Sequence, residues 1–121
     1  MGYESRFYVV EKHRSIYERD IGLFYADKVA MFDMCKCPDL YDRIKHYPKT
    51  DSYIYADDGN THIVKDDYDE KLIEIPIIDM ITILEDLAET EPYRRYKPFL
   101  QLLKGFDLSE WKDLVVLHYG H

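Results

Sequence analysis

Residue types that form disulfides or phosphate-binding loops are scarce in this sequence. It contains two cysteines, five glycines and one tryptophan among 121 residues, and it has no long apolar run. A transmembrane helix needs about 20 consecutive apolar residues, so the sequence predicts none. Two cysteines are too few for a disulfide framework. The glycines are scattered and form no phosphate-binding loop, which argues against nucleotide binding of that kind.

Length and composition favour one folded, cytoplasmic domain. A chain of 121 residues has the common size of a single domain, and 46% hydrophobic with 33% charged residues lies outside the range of disordered chains. The first residues, Met-Gly-Tyr-Glu-Ser-Arg, lack the basic and apolar segments of a secretory signal. We therefore expect one domain over residues 1–121, located in the cytoplasm.

The cysteines and histidines predict neither a metal site nor a catalytic centre. Cys35 and Cys37 lie too close in sequence for an ordinary structural disulfide, and we expect them to be small core or surface groups. A zinc site would need two more ligands, and only His46 is near. No histidine is paired with a nucleophile at a motif spacing, and no serine lies in a Gly-x-Ser-x-Gly context. We predict no cofactor, no metal and no enzymatic activity.

Negative charge is concentrated in the middle of the chain. The formal net charge is -8, but residues 51–91 hold 13 acidic side chains against Lys65 and Lys71, a net of -11. Such a field disfavours direct contact with nucleic acid or with an anionic membrane, since both are bound by lysine and arginine. It indicates either a solvated face that keeps the protein soluble or a docking surface for a basic protein.

Strand patterns occupy the two ends and the middle of the chain. Residues 6–12 are rich in β-branched and aromatic side chains and predict a first strand, whereas 28–37 fits a strand or a short helix. Two alternating runs, 52–56 and 61–65, flank Asp-Asp-Gly-Asn and predict a β-hairpin. A short strand is predicted at 71–75. The apolar run 114–119 predicts a buried strand beside the first.

Prolines and apolar periodicity predict the helices. Pro38 is suited to open a helix over 39–46, and Pro76 one whose apolar residues recur at helical spacing from Ile77 to Ala88. A further helix ends at Gly105, and Pro98 must lie in its first turn or kink it. Asp-Leu-Ser-Glu at 107–110 resembles a capping box for a short turn. The sequence thus predicts an α+β fold, a mainly antiparallel sheet with helices packed on one face.

Tyrosine is the most over-represented aromatic residue, with twelve copies. Large amphipathic rings fill cores and are also enriched at protein interfaces. Tyr93-Arg-Arg-Tyr96 forms an aromatic and basic cluster that could bind an acidic partner or pair with the acidic middle of this chain, and we expect the internal pairing. An aromatic surface of this kind would also suit a homodimer, which is the main alternative to a foreign partner.

The hairpin turn has a superficial likeness to a metal-binding turn. Tyr55-Ala-Asp-Asp58 is similar to the turn of polymerase palm domains, where paired carboxylates hold two magnesium ions. That chemistry needs a third carboxylate on a neighbouring strand and a large surrounding domain. We therefore interpret Asp57, Asp58 and Asn60 as turn formers, and keep a small metal-dependent hydrolase only as a third alternative.

Three segments resemble a family of small uncharacterised phage and prophage accessory proteins of Gram-positive bacteria. They are Met-Gly-Tyr-Glu-Ser-Arg-Phe-Tyr-Val-Val at the start, Ile54-Tyr-Ala-Asp-Asp-Gly-Asn60, and Trp111-Lys-Asp-Leu-Val-Val-Leu-His-Tyr-Gly120. The resemblance spans most of the chain and brings no catalytic motif. It implies an accessory protein that binds and redirects or inhibits a host protein, including a defence system, in the cytoplasm of the infected bacterium.

Charge and resemblance together predict stoichiometric binding of a bacterial host protein that has a basic surface. The sharper form of this hypothesis is a DNA mimic that inhibits a nuclease. The acidic, tyrosine-bearing hairpin and the first long helix would face the partner. The residues predicted to contact the partner are Tyr53, Tyr55, Asp57, Asp58, Asp66, Asp67, Asp69 and Glu70.

Overall fold

The computed structural model describes residues 5–14, 24–34, 37–50, 53–55, 62–63, 71–90, 93–111 and 113–120. In these ranges seven strands and three helices follow one another along the chain. They are β1 Ser5–Arg14, β2 Phe24–Met34, α1 Pro38–Ile44, β3 Lys49–Thr50, β4 Tyr53–Tyr55, β5 His62–Ile63, β6 Leu72–Pro76, α2 Ile77–Thr90, α3 Tyr96–Lys104 and β7 Leu114–Gly120.

The described strands form one sheet in the order β3-β6-β7-β1-β2-β4-β5. Every neighbouring pair is antiparallel except β2 and β4, which run parallel. The central strand β1 pairs along its whole length with β2 and from Ser5 to Glu11 with β7. The prediction that the C-terminal strand lies beside the first is therefore confirmed, and the ambiguous stretch after residue 28 is a strand because it pairs with β1.

A β-bulge interrupts the pairing of β1 with β2. Val9 lies opposite Ala30, whereas the next residue, Val10, lies opposite Lys28, so Val29 is an extra residue. A bulge of this kind turns two successive side chains toward one face. Val29 and Ala30 accordingly both pack against the main core. Beyond the bulge, Lys28 returns to the alternation of the strand.

The three helices cover one face of the sheet. Phe99 of α3 is fully buried, stacked on Phe32 with ring centroids 4.9 Å apart and tilted against Phe7 at 5.1 Å. Each helix supplies an apolar stripe to the same core. Its buried helical residues are Leu40, Ile44, Ile77, Met80, Ile83, Leu84, Leu87, Tyr96, Phe99 and Leu103. The predicted α+β class, a mainly antiparallel sheet with helices on one face, is confirmed.

The opposite face of the sheet has a smaller apolar cluster. Tyr8, Val10, Leu72 and Leu117 form it, and none of them is more than 4% exposed. Among the described residues, no helix contributes to this cluster. Alternate residues of a strand point to opposite faces, so β1 supplies both clusters at once.

The helices begin and end near the proline and glycine residues that the sequence suggested as helix boundaries. Pro38 is the first residue of α1, and α2 begins directly after Pro76. Gly105 caps α3 with an ordinary right-handed φ of -72°. The predicted turn after it is built on Asp107, whose Oδ1 accepts hydrogen bonds from the Ser109 N–H (2.9 Å) and hydroxyl (2.6 Å). These bonds lower the pKa of the Asp107 carboxyl group.

Candidate functional site

The predicted hairpin lies at one end of the sheet. β4 and β5 pair antiparallel, with Ile54 opposite Ile63 and Tyr55 opposite His62, so the prediction of two paired strands here is confirmed. β4 also pairs parallel with β2, at Tyr25 to Asp27. This pairing fixes the hairpin strands to the long β1–β2 ribbon. β5 is the last described strand on this side.

Two of the eight residues predicted to contact a partner lie in the described strands of this hairpin. The backbone of Tyr53 and Tyr55 lies in β4. Asp57 and Asp58 follow β4 in sequence, while the other four precede β6. The predicted residues outside the described part of the chain are Asp57, Asp58, Asp66, Asp67, Asp69 and Glu70. The structure therefore pairs the two strands of the candidate site, and the part played by its carboxylates stays a prediction.

Two of the three exposed carboxylates of α2 pair with cations from the other two helices. Arg43 of α1 donates from Nη1 to Asp86 Oδ2 at 2.6 Å. Lys104 of α3 places Nζ 3.6 Å from Glu85 Oε2. Exposed ion pairs of this kind stabilise a fold by at most about 1 kcal/mol each. Their larger effect is on the surface potential, because each offsets one negative charge of the helix.

Two further carboxylates, Asp79 of α2 and Glu74 of β6, contact donors from distant parts of the chain. The Tyr47 hydroxyl donates to Asp79 Oδ2 at 3.0 Å, and Lys12 Nζ lies 2.6 Å from Glu74 Oε1. Burial raises the pKa of the Tyr47 phenol, and the bond to Asp79 raises it further. Four of the five carboxylates in 71–90 thus contact a donor from another element; the fifth is the exposed Glu89.

By formal charge, residues 51–70 are the most acidic stretch of the chain. Residues 51–70 contain seven acidic side chains and a single lysine, a net charge of -6. The sequence alone predicted that both the hairpin and the first long helix would face a basic partner. The contacts of α2 with Arg43 and Lys104 reduce its share, and the hairpin segment becomes the main candidate.

The aromatic and basic cluster at 93–96 is tied into the fold. Tyr96 is buried, and the Tyr93 ring packs edge-on against it at 5.0 Å. Arg95 donates from Nη1 to the backbone carbonyl of Asp33 at 2.7 Å. Internal pairing was expected for this cluster, but with the acidic middle of the chain. The described contact of Arg95 is with the end of β2 instead.

One polar pair that sequence reasoning missed lies inside the core. Ser5 Oγ and His118 Nε2 are 2.9 Å apart, although the two residues are 113 positions apart in sequence. Both residues are only 2% exposed, and the His118 ring contacts Phe7 and Tyr41 at centroid distances of 5.1 and 5.6 Å. A substrate could not reach a hydroxyl so deeply buried, so we interpret the pair as a structural hydrogen bond between β1 and β7.

The residues considered for metal binding do not assemble within the described ranges. Cys37 is buried at the start of α1, whereas His46 is exposed and packs against the Tyr47 ring at 4.8 Å. No group of three histidine, cysteine, aspartate or glutamate side chains suited to a metal ion occurs in these ranges. Cys35 and the hairpin carboxylates Asp57 and Asp58 lie outside them.

Comparisons with known proteins add no family to these observations. None of the helices that the structure describes is long and apolar enough to cross a membrane. The resemblance to phage accessory proteins remains an expectation from the three quoted segments. No family model, no curated protein and no solved structure matches this chain.

Proposed function

We propose that this protein is a phage accessory protein that binds a bacterial host protein through the acidic segment 51–70 and a basic surface on the partner. In its most specific form, the proposal is that this protein mimics DNA and thereby inhibits a nuclease. One observation carries it: Arg43 and Lys104 pair with two of the four carboxylates of α2, whereas segment 51–70 has a formal net charge of -6. Complementary potentials steer association and select partners of opposite charge.

The hairpin strands support this role because they give the acidic segment a fixed base. β4 is hydrogen-bonded to both β2 and β5, so the chain enters and leaves residues 56–61 from paired strands. A surface mounted on paired strands loses less conformational entropy on binding than an unanchored tail. The two tyrosines of β4, Tyr53 and Tyr55, add residues of a type enriched at the centres of interfaces.

The first experiment is a tagged pull-down from a nuclease-treated lysate of a Gram-positive bacterium, read by mass spectrometry at low and moderate salt. We expect one dominant basic protein that dissociates as salt rises, because exposed charge pairs are screened. A partner whose retention does not change with salt would contradict the electrostatic basis of the proposal.

The purified partner then allows a comparison of two triple variants with equal changes in net charge. The first neutralises the proposed surface with Asp66→Asn, Asp67→Asn and Asp69→Asn. The matched control neutralises α2 with Glu85→Gln, Asp86→Asn and Glu89→Gln.

We expect the segment variant to weaken binding at least about tenfold and to flatten its salt dependence, with a clearly smaller effect of the control. Equal effects of both variants would mean that only net charge matters. The acidic segment would then be a solvated face, and the docking surface would have to be sought elsewhere.

A further inference from the structure

The first half of α2 exposes apolar side chains to solvent. Ile78 is 63% exposed, more than any other large hydrophobic residue in the described ranges. Ile81, one turn further along, is half-buried against the main core. Glu85 lies two turns after Ile78 on the same side of the helix, and its carboxylate is 3.6 Å from Nζ of Lys104 in α3. Ile78 and Ile81 therefore lie on the side of α2 that is next to α3.

The connection between α3 and β7 runs beside this half of α2. At one end, Lys104 is paired with Glu85, near the middle of α2. At the other end, Val115 of β7 lies opposite Pro76, the residue directly before α2. α2 also packs against both α3 and β7. Residues 105–111, which begin this connection, therefore pass along α2 from the level of Glu85 toward its first turn.

This connection contributes three further apolar side chains to the surface. Phe106, Leu108 and Trp111 are each partly buried and pack against the main core. The rings of Phe106 and Trp111 meet edge to face, with centroids 5.8 Å apart and an interplanar angle of 85°. We call the combined patch the Trp111 surface and define it as Ile78, Ile81, Phe106, Leu108 and Trp111.

The composition of the Trp111 surface is that of an interface centre. Tryptophan and other aromatic residues are enriched where protein interfaces contribute most binding energy. Single exposed hydrophobic residues are ordinary, whereas contiguous apolar patches mark interaction sites. Ile78 continues the patch onto a helix position that would carry a polar residue if it only faced water.

Carboxylates surround the Trp111 surface. Glu110 and Asp113 are exposed, and neither forms an ion pair within the part of the chain that the structure describes. Asp107 is exposed as well, and the hydrogen bonds it accepts from Ser109 leave its negative charge in place. Residues 105–113 thus hold three acidic side chains against one lysine, a net of -2. A complementary partner is apolar at its centre and positively charged at its margins.

We propose that the Trp111 surface binds an amphipathic segment of another protein, with an apolar face that covers Ile78 and Trp111 and with lysine or arginine side chains beside Glu110 and Asp113. An amphipathic helix on an apolar surface is a common mode of such recognition. A second copy of this chain fits less well, because it would bring the same carboxylates together. An anionic membrane is disfavoured for the same reason. No residue of segment 51–70 takes part, so the proposal stands apart from the proposed host complex.

Trp111 is the only tryptophan of the chain, so its fluorescence reports directly on this surface. The probe is a synthetic peptide of about 18 residues, five helical turns, with leucine on one face, lysine on the other and no aromatic residue. We expect saturable binding, a blue shift of the Trp111 emission and protection from acrylamide quenching, because leucine side chains replace water around the ring. Emission and quenching that stay unchanged up to about 1 mM peptide would overturn the proposal.

A second peptide separates the apolar contact from charge alone. It has glutamine in place of every leucine and keeps all the lysines. We expect its dissociation constant to be at least about tenfold higher than that of the leucine peptide. Equal binding of both peptides would mean that the surface recognises only positive charge, and the apolar part of the proposal would be wrong.

Two substitutions of exposed hydrophobic residues test the location. Ile78→Ser removes the most exposed side chain of the Trp111 surface and should weaken binding of the leucine peptide at least about fivefold. Met31→Ser makes a comparable change on β2, where Met31 is 43% exposed, and should leave binding unchanged. Circular dichroism confirms that both variants are folded. Equal effects of the two substitutions would contradict binding at the Trp111 surface.

Two double variants with equal changes in net charge test the acidic margin. Glu110→Gln with Asp113→Asn should weaken binding of the leucine peptide and flatten its salt dependence. Asp39→Asn with Glu89→Gln removes two exposed carboxylates elsewhere and should have a clearly smaller effect. Equal effects would show that only net charge matters and would refute the role of Glu110 and Asp113.

The variant of segment 51–70 keeps this test separate from that of the host complex. The triple substitution Asp66→Asn, Asp67→Asn and Asp69→Asn changes no residue of the Trp111 surface or its margin. It should therefore leave the blue shift of Trp111 at saturating leucine peptide unchanged. Loss of that blue shift would place the peptide on segment 51–70 and overturn the proposal, whereas failure of the host complex alone would leave it standing.

Discussion

The packing of α3 on the sheet rests on Phe99, and the substitution Phe99→Leu should measure that packing. The side chain is fully buried, stacked on Phe32 at an interplanar angle of 5° and tilted at 44° against Phe7. Leucine keeps an apolar side chain in the site but removes both ring contacts. Aromatic pairs contribute roughly 0.5–1.5 kcal/mol each beyond their buried area, so we expect a loss of about 2 kcal/mol.

The corresponding change in melting temperature can be worked out from the chain length. At about 2.1 cal/mol/K per residue, the unfolding entropy of 121 residues is roughly 0.25 kcal/mol/K. A loss of about 2 kcal/mol therefore lowers the melting temperature by about 8 °C. Thermal unfolding followed by circular dichroism measures this shift. Gln101→Ala, on the exposed side of the same helix, serves as the control and should change it by less than about 2 °C.

A double-mutant cycle with Phe32→Leu separates the stacking of the two rings from general packing. We expect a coupling free energy of about 0.5–1.5 kcal/mol between Phe32 and Phe99, because they are in direct contact. A shift below about 2 °C for Phe99→Leu, or additive effects of the two substitutions, would refute the stacked arrangement of α3 on β2.

Two further predictions concern side-chain hydrogen bonds between distant parts of the chain. Tyr47→Phe should lower the free energy of unfolding by about 0.5–1.5 kcal/mol at pH 7. The pKa of the Tyr47 phenol is raised in the folded protein, so the stability that depends on the protonated phenol is present below pH 10 and is lost as pH rises through the raised pKa. Urea unfolding at pH 7 and above pH 10 should therefore show the free energies of unfolding of wild type and Tyr47→Phe converging at the higher pH. Ser5→Ala removes the hydroxyl beside buried His118 and should lower the free energy of unfolding, measured with urea, by about 1–3 kcal/mol. The control Ser109→Ala changes an exposed serine and should lower it by less than about 0.5 kcal/mol. Equal effects of the two serine substitutions would contradict the burial of Ser5.

Local structure was predictable from the sequence because its causes are local. Pro76 and the apolar spacing after it determine where α2 begins and which side it buries. The same holds for Pro38 at the start of α1 and for the paired strands β4 and β5, which flank the Asp-Asp-Gly-Asn segment in sequence. In each case the deciding residues lie within a few positions of the feature they specify.

The contacts that give the surface its charge pattern could not be predicted in this way. Arg43 and Asp86 are 43 residues apart, and Lys12 and Glu74 are 62 apart. Nothing in either sequence neighbourhood identifies the partner, since pairing follows from the register of the whole sheet and the placement of helices on it. The bulge at Val29 is likewise invisible in the pattern of β2, yet it places both Val29 and Ala30 against the main core.

The host complex and a homodimer, its main alternative, should respond to salt in opposite directions. Two copies with a formal net charge of -8 each repel one another over their whole surfaces. Raising the salt from about 50 to 300 mM screens this long-range repulsion, so it should strengthen a homodimer. The same change should weaken a complex held by complementary charges. Sedimentation velocity of the chain alone and with its partner, at both salt concentrations, measures both trends. A host complex that is equally stable at both concentrations would show that complementary charge does not hold it.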